Sequence, residues 1–135
     1  MNKLIEYAFD ICEIKSAELL RLVEIVLKQI SIHIDENELC FGTLYERRTF
    51  SGEAGEVTKD GDILLDNDKL RHYEEDVAMA LIAHEFAHYR LNHYSDKRTN
   101  TLDMEDEADQ LAKDWGFNVD LFRKVCGPAT LQGLC

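Results

Sequence analysis

His84-Glu85-Phe86-Ala87-His88 gathers two imidazoles and a carboxylate within five residues. On a helix, the i, i+4 spacing of His84 and His88 puts both rings on one face, one turn apart. Two neutral imidazole nitrogens set this way can share one zinc ion. Glu85 is turned about 100° from His84, so its carboxylate falls beside the ion's open position and not on the ion. From there it can accept a proton from a metal-activated water that attacks a carbonyl. The stripe that carries the histidines is otherwise apolar, with Val77, Leu81 and Leu91 along it. Imidazoles in such a stripe point inward and need partners, and a metal ion is a fitting one. Core histidines satisfied by hydrogen bonds are the plain alternative, because so short a pattern also arises by chance.

A hydrolytic zinc site usually takes three protein ligands and leaves a fourth position for water. A third histidine in a His-Glu-x-x-His-x-x-Gly-x-x-His pattern is ruled out. Leu91 and Tyr94 stand where that pattern needs glycine and histidine, and His93 is one residue out of place. The better source is Met104-Glu105-Asp106-Glu107-Ala108-Asp109. Glu105, Ala108, Asp109, Ala112 and Trp115 share one helical face, which is otherwise apolar. Two carboxylates facing a core are costly unless something compensates them. A zinc ion for Glu105 and an imidazole N–H for Asp109 would do so, since a ligating histidine usually gives its second nitrogen to a carboxylate or carbonyl. Asp106 and Glu107 fit a solvated face.

The elements that must position these groups follow from patterning. At 135 residues and 45% hydrophobic, the chain suits one compact domain. Residues 1–30 read as a packing helix with a break near Lys15 and Ser16, and Leu19, Leu22, Val23, Val26, Leu27 and Ile30 keep helical spacing. Residues 31–66 read as a small, mostly antiparallel sheet. Ile32 and Ile34 alternate with polar neighbours, 39–45 and 61–66 read as further strands, and Lys59-Asp60-Gly61-Asp62 reads as a tight hairpin turn. The site helix is expected over 73–92, with Glu74, Glu75 and Asp76 near its start. A polar loop follows, then a third-ligand helix over 101–115 that ends at Gly116, with Thr101 as a candidate cap. Residues 116–135 hold a short C-terminal helix and a tail. The fold class expected is therefore α+β.

The formal charge of −12 comes without any basic stripe, which argues against nucleic-acid binding. The longest apolar run, 77–83, is far short of the roughly 20 residues needed to span a bilayer. Acidic residues interrupt the N-terminal run, so no secretory signal is evident and a cytoplasmic location is expected. Cys12, Cys40, Cys126 and Cys135 include no Cys-x-x-Cys pair and are expected to be reduced.

Taken together, His84-Glu85-Phe86-Ala87-His88 and Glu105-Asp106-Glu107-Ala108-Asp109 resemble the gluzincin metallopeptidases, and among them the small soluble minigluzincins. His93 is similar to a histidine often found soon after the motif in that group. The matching motifs cover residues 84–109, and the rest agrees only in element order. The resemblance implies a zincin-like domain with zinc on His84, His88 and Glu105, Glu85 as general base and acid, and Asp109 orienting a ligand histidine. It also implies that an edge strand, expected at 61–66, holds a peptide or protein substrate in extended form. A second oxyanion donor is open among His72, Tyr73, His93 and Tyr94. Small members of the group can be held inactive by their own termini, so a latent form with a Cys135 thiolate on the open position is an alternative to an active site. Two other roles stand beside a general endopeptidase. One is a repressor-cleaving metallopeptidase, a class that usually has Asn where this chain has Asp109. The other is a zinc-stabilised module that holds peptides without cutting them.

Overall fold

Ser16 starts the first helix. Its side chain accepts the Leu19 N–H at 3.2 Å while its own backbone stays extended. Helix α1 runs over Ala17–Ile30 and buries Leu19, Leu22, Val23, Val26, Leu27 and Ile30, the face its spacing predicts. The computed structural model describes residues 12–35, 42–50, 52–91 and 102–127. The expectations for residues 1–11, Cys40, His93, Tyr94, Thr101 and Cys135 lie outside the described residues.

The segments at 12–13 and 32–34 differ from the patterning. Residues 12–13, expected to be helical, form strand β1 (Cys12–Glu13). Glu46 secures the break that follows, because its Oε1 accepts the N–H groups of Lys15 at 3.1 Å and Ser16 at 2.8 Å. Ile32 and Ile34 are not in a strand. The N–H groups of His33 and Ile34 bond back to the Ile30 carbonyl at 2.9 and 3.2 Å, so the segment unwinds from α1 as a turn. The apparent alternation there is turn geometry that leaves Ile32 79% exposed.

Among the described residues, strands β2 (Leu44–Glu46), β3 (Gly55–Val57) and β4 (Ile63–Leu65) join β1 in a four-stranded sheet of order β1-β2-β4-β3. The expected sheet was mostly antiparallel; the observed one is mixed. β1 and β2 are parallel, β2 and β4 are parallel, and only β3 and β4 are antiparallel. Parallel neighbours need a crossover. α1 supplies the one between β1 and β2, a role hidden while residues 12–13 are read as helix. The β3–β4 hairpin does close at the expected turn. Thr58 N–H bonds Asp62 O at 2.8 Å, and Gly61 sits at φ 86, where a side chain would be strained. The 61–66 segment was expected to be the sheet edge. Its core is β4, which is paired on both sides and buried at all three residues, so the edge beside it is β3.

Asp66 caps the short helix α2 (Asn67–Leu70) by accepting the Asp68 N–H at 3.1 Å. Helix α3 (Glu75–Arg90) follows, and every residue from Ala80 to His88 on it is buried. A helix buried on all sides is central by necessity. α3 packs against α1, β3 and β4, and also against helices α4 (Leu102–Asp114) and α5 (Val119–Cys126). α4 stops where Phe117 N–H reaches back to Ala112 O at 3.1 Å and Gly116 adopts φ 95. Asn118 then caps α5 through the Leu121 N–H at 3.1 Å. One core cluster spans α1, the sheet and α3 to α5, with Phe86, Trp115 and Phe122 among its largest members, so the chain is a single α+β domain. Among the described residues, no helix is long and apolar enough to cross a membrane.

Candidate metal centre

α3 and α4 face each other where their polar residues meet. His84 and His88 project from one stripe of α3, and Glu105 from the buried face of α4. They are 1%, 6% and 0% exposed, so water cannot satisfy them. His84 Nε2 lies 2.9 Å from His88 Nε2 and 3.1 Å from Glu105 Oε1, and His88 Nε2 lies 2.8 Å from Glu105 Oε2. The two imidazoles meet edge to face at 4.4 Å between ring centroids. Three residues thus close a triangle, the two rings through Nε2 and Glu105 through one oxygen toward each ring.

Neutral rings alone do not satisfy the carboxylates around them. His84 Nδ1 lies 2.8 Å from Asp109 Oδ1, while Nε2 faces Glu105. A neutral imidazole has one ring proton. Given to either carboxylate, it leaves the other nitrogen's lone pair facing an anion. A second proton or a cation has to intervene. Glu105 Oε2 makes the same point: despite its 2.8 Å approach to His88, that contact lacks the direction of a hydrogen bond, and Oε2 is a buried oxygen without one. His84, His88 and Glu105 can hold a metal ion. Donors on a tetrahedral zinc lie about 3.3–3.5 Å apart, from bond lengths of about 2.0–2.2 Å. The triangle is therefore a few tenths of an ångström tighter than the loaded site would be. Two imidazoles and a carboxylate are a donor set suited to zinc.

Without metal, protons take up the strain. Burial would lower the His84 imidazolium, but Asp109 and then Glu105 overcome this and lift it to about 9. Burial would raise the Glu105 carboxyl, yet His84 and His88 hold it below the ordinary carboxylate range. Asp109 is likewise lowered, against its burial, by His84 and Arg123.

Glu85 is 4% exposed and stands one residue on from His84. Burial pushes its carboxyl up to about 8; His84 opposes this, while Glu105, Glu56 and Glu53 add to it. Its side chain lies against the backbone of edge strand β3. A Cβ at position 55 would stand 2.8 Å from Glu85 Cγ and 2.9 Å from its Oε2. Gly55 is what lets Glu85 fit beneath the strand.

The structure thus brings together His84, His88, Glu105 and Asp109, with Glu85 beside them. Asp106 and Glu107 face outward. His72 and Tyr73 precede Glu75, the first residue of α3. At a helical rise of about 1.5 Å per residue, the start of α3 is about 14 Å from His84 along the axis, so neither is brought to the centre. Among the described residues, no disulfide joins Cys12 and Cys126. One residue was missed from sequence. Arg123 on α5 forms a two-pronged bond to Asp109, with Nε to Oδ2 at 2.7 Å and Nη2 to Oδ1 at 3.0 Å. The signal was present: Arg123 follows Val119 by four residues, on the buried stripe of α5.

Compared with known proteins, the chain matches no family model, no curated protein and no solved structure. The likeness to gluzincins rests on the motif residues alone.

Proposed function

We propose that this protein is a zinc-dependent metalloendopeptidase. The observation that carries the reading is the pairing of a buried three-donor triangle with a buried carboxylate one residue along the same helix. Holding a metal requires only the triangle. A carboxylate kept out of water one residue from a ligand histidine is placed for proton transfer, and the charge of a divalent ion would favour its ionised, basic form.

Zinc on His84, His88 and Glu105 would supply a Lewis acid that activates water and polarises the scissile carbonyl. The protein's own groups do the rest. Glu85 takes the proton of the attacking water and passes it to the leaving amine. Asp109 keeps the His84 ring in one orientation through Nδ1. β3 offers its outer edge for pairing with an extended peptide, and its contact with Glu85 at Gly55 aligns such a peptide with the proton-transfer group. The edge-strand role implied by the gluzincin likeness therefore falls to β3 instead of the 61–66 strand.

Glu85→Gln keeps the shape of the side chain and removes its basicity. It should lower peptide hydrolysis by at least about 100-fold and leave zinc content unchanged, as read by fluorogenic peptide libraries alongside metal analysis. Undiminished hydrolysis in the variant would remove Glu85 from the mechanism. A zinc-loaded wild type that cuts nothing in a broad library would favour a peptide-holding module.

A further inference from the structure

Arg123 reaches from α5 to α4, the helix that carries Glu105 and Asp109. Its side chain is 15% exposed. Beyond its two bonds to Asp109, its Nη2 comes within 3.6 Å of Glu105 Oε1. Its guanidinium lies over the Phe122 ring at 4.5 Å, and Phe122 meets the His84 ring at 5.6 Å. One side chain therefore holds the partner of one ligand, approaches a second ligand, and backs the ring that walls in the first.

We propose that Arg123 is a positioning residue of the metal centre, setting its zinc affinity by fixing the Asp109 carboxylate against His84. The inference rests on the metal-centre reading above. Asp109 Oδ1 lies 2.8 Å from His84 Nδ1 and accepts from Arg123 Nη2 at 3.0 Å, while Oδ2 accepts from Arg123 Nε at 2.7 Å. A carboxylate gripped through both oxygens by a planar fork cannot turn about its own bond. Without the fork Asp109 can rotate, and the His84 ring loses the contact that orients it. Lysine could restore the charge but not the fork.

Charge balance points the same way. Glu105, Glu85 and Asp109 bring three negative charges to a largely buried volume when ionised. A divalent ion and Arg123 together offset all three. Without Arg123, the loaded centre carries an excess negative charge away from water.

A purely structural Arg123 would only tie α5 to α4. Zinc affinity, measured on the full chain by competition with a chelator, separates the two. Arg123→Met should weaken zinc binding roughly 10-fold or more, and Arg123→Lys should weaken it by a smaller factor. In an Asp109→Asn background, Arg123→Met should add less than about twofold, because Arg123 acts through Asp109. The visible spectrum of the Co2+-loaded protein should change in Arg123→Met as His84 loses its orientation. Should Arg123→Met fail to fold, Arg123→Lys carries the same comparison.

A variant with a lower melting temperature but a zinc Kd within about twofold of wild type would overturn the proposal. So would full additivity of the Arg123 and Asp109 substitutions. If His88→Ala loses zinc while both Arg123 variants bind it as wild type does, only this inference fails. If His88→Ala retains zinc, the metal-centre reading fails with it.

Discussion

Glu85 and His84 are both shifted, and in the same direction, in the metal-free protein. Glu85 moves from 4.5 up to about 8, and His84 from 6.5 up to about 9. A group with a raised folded pKa contributes stability below its unfolded value and loses it as pH climbs through the folded value. The metal-free protein should therefore lose stability between about pH 5 and about pH 9. Glu105 and Asp109 are lowered instead, so their contribution disappears as pH falls through and below the ordinary carboxylate range. Urea unfolding of chelator-treated protein should accordingly give a lower midpoint at about pH 9 than at about pH 6, and Glu85→Gln should flatten the slope. A midpoint that rises over this interval would contradict the assignment. These residues were legible in the sequence because each is a polar group at an apolar position: His84 and His88 on the α3 stripe, Glu105 and Asp109 on the α4 stripe. Arg123 carries the same mark on α5. It escaped because that helix has only eight residues, too few for its buried stripe to stand out.

At the scale of elements, the junction of β3 and α3 decides whether the centre can work. Gly55 lies where a side chain would meet Glu85 and also Leu81 Cδ2, the latter at 2.9 Å. Gly55→Ala should push the Glu85 carboxylate away while leaving the triangle on α3 and α4 untouched. We expect hydrolysis to fall about 10- to 100-fold, since displacement of roughly 1 Å can carry that penalty, with zinc content unchanged. Hydrolysis equal to wild type would show that the strand does not constrain Glu85. The helices were readable because their apolar residues recur over many turns, as Leu19 to Ile30 do on α1. The strands are two or three residues long. Segments so short carry no periodicity that fixes direction, which depends on what connects them. Gly61 marked the β3–β4 turn, and that antiparallel pair was foreseen. Nothing local to Cys12 and Glu13 signals a strand that gains its partners only from Leu44 and Tyr45, more than thirty residues on. α2, at four residues, is likewise too short to leave a pattern.

At the scale of the whole molecule, the donors join two helices, and Arg123 extends the link to a third. A metal bound here stabilises the folded chain only, because the unfolded chain has no assembled triangle. Zinc at about 100 times its Kd should add roughly 2.7 kcal/mol, a rise in Tm on the order of 10 °C for a domain of this size. Differential scanning fluorimetry with and without zinc reads this directly, and an unchanged Tm would indicate that zinc does not bind the folded state. The centre itself is tested most directly by the metal content of purified wild type and His88→Ala after equilibration with zinc and removal of the excess. We expect one zinc per chain in the wild type and near loss of it in a His88→Ala protein that remains folded. A wild type without zinc, or a His88→Ala protein that keeps its full complement, would contradict this expectation.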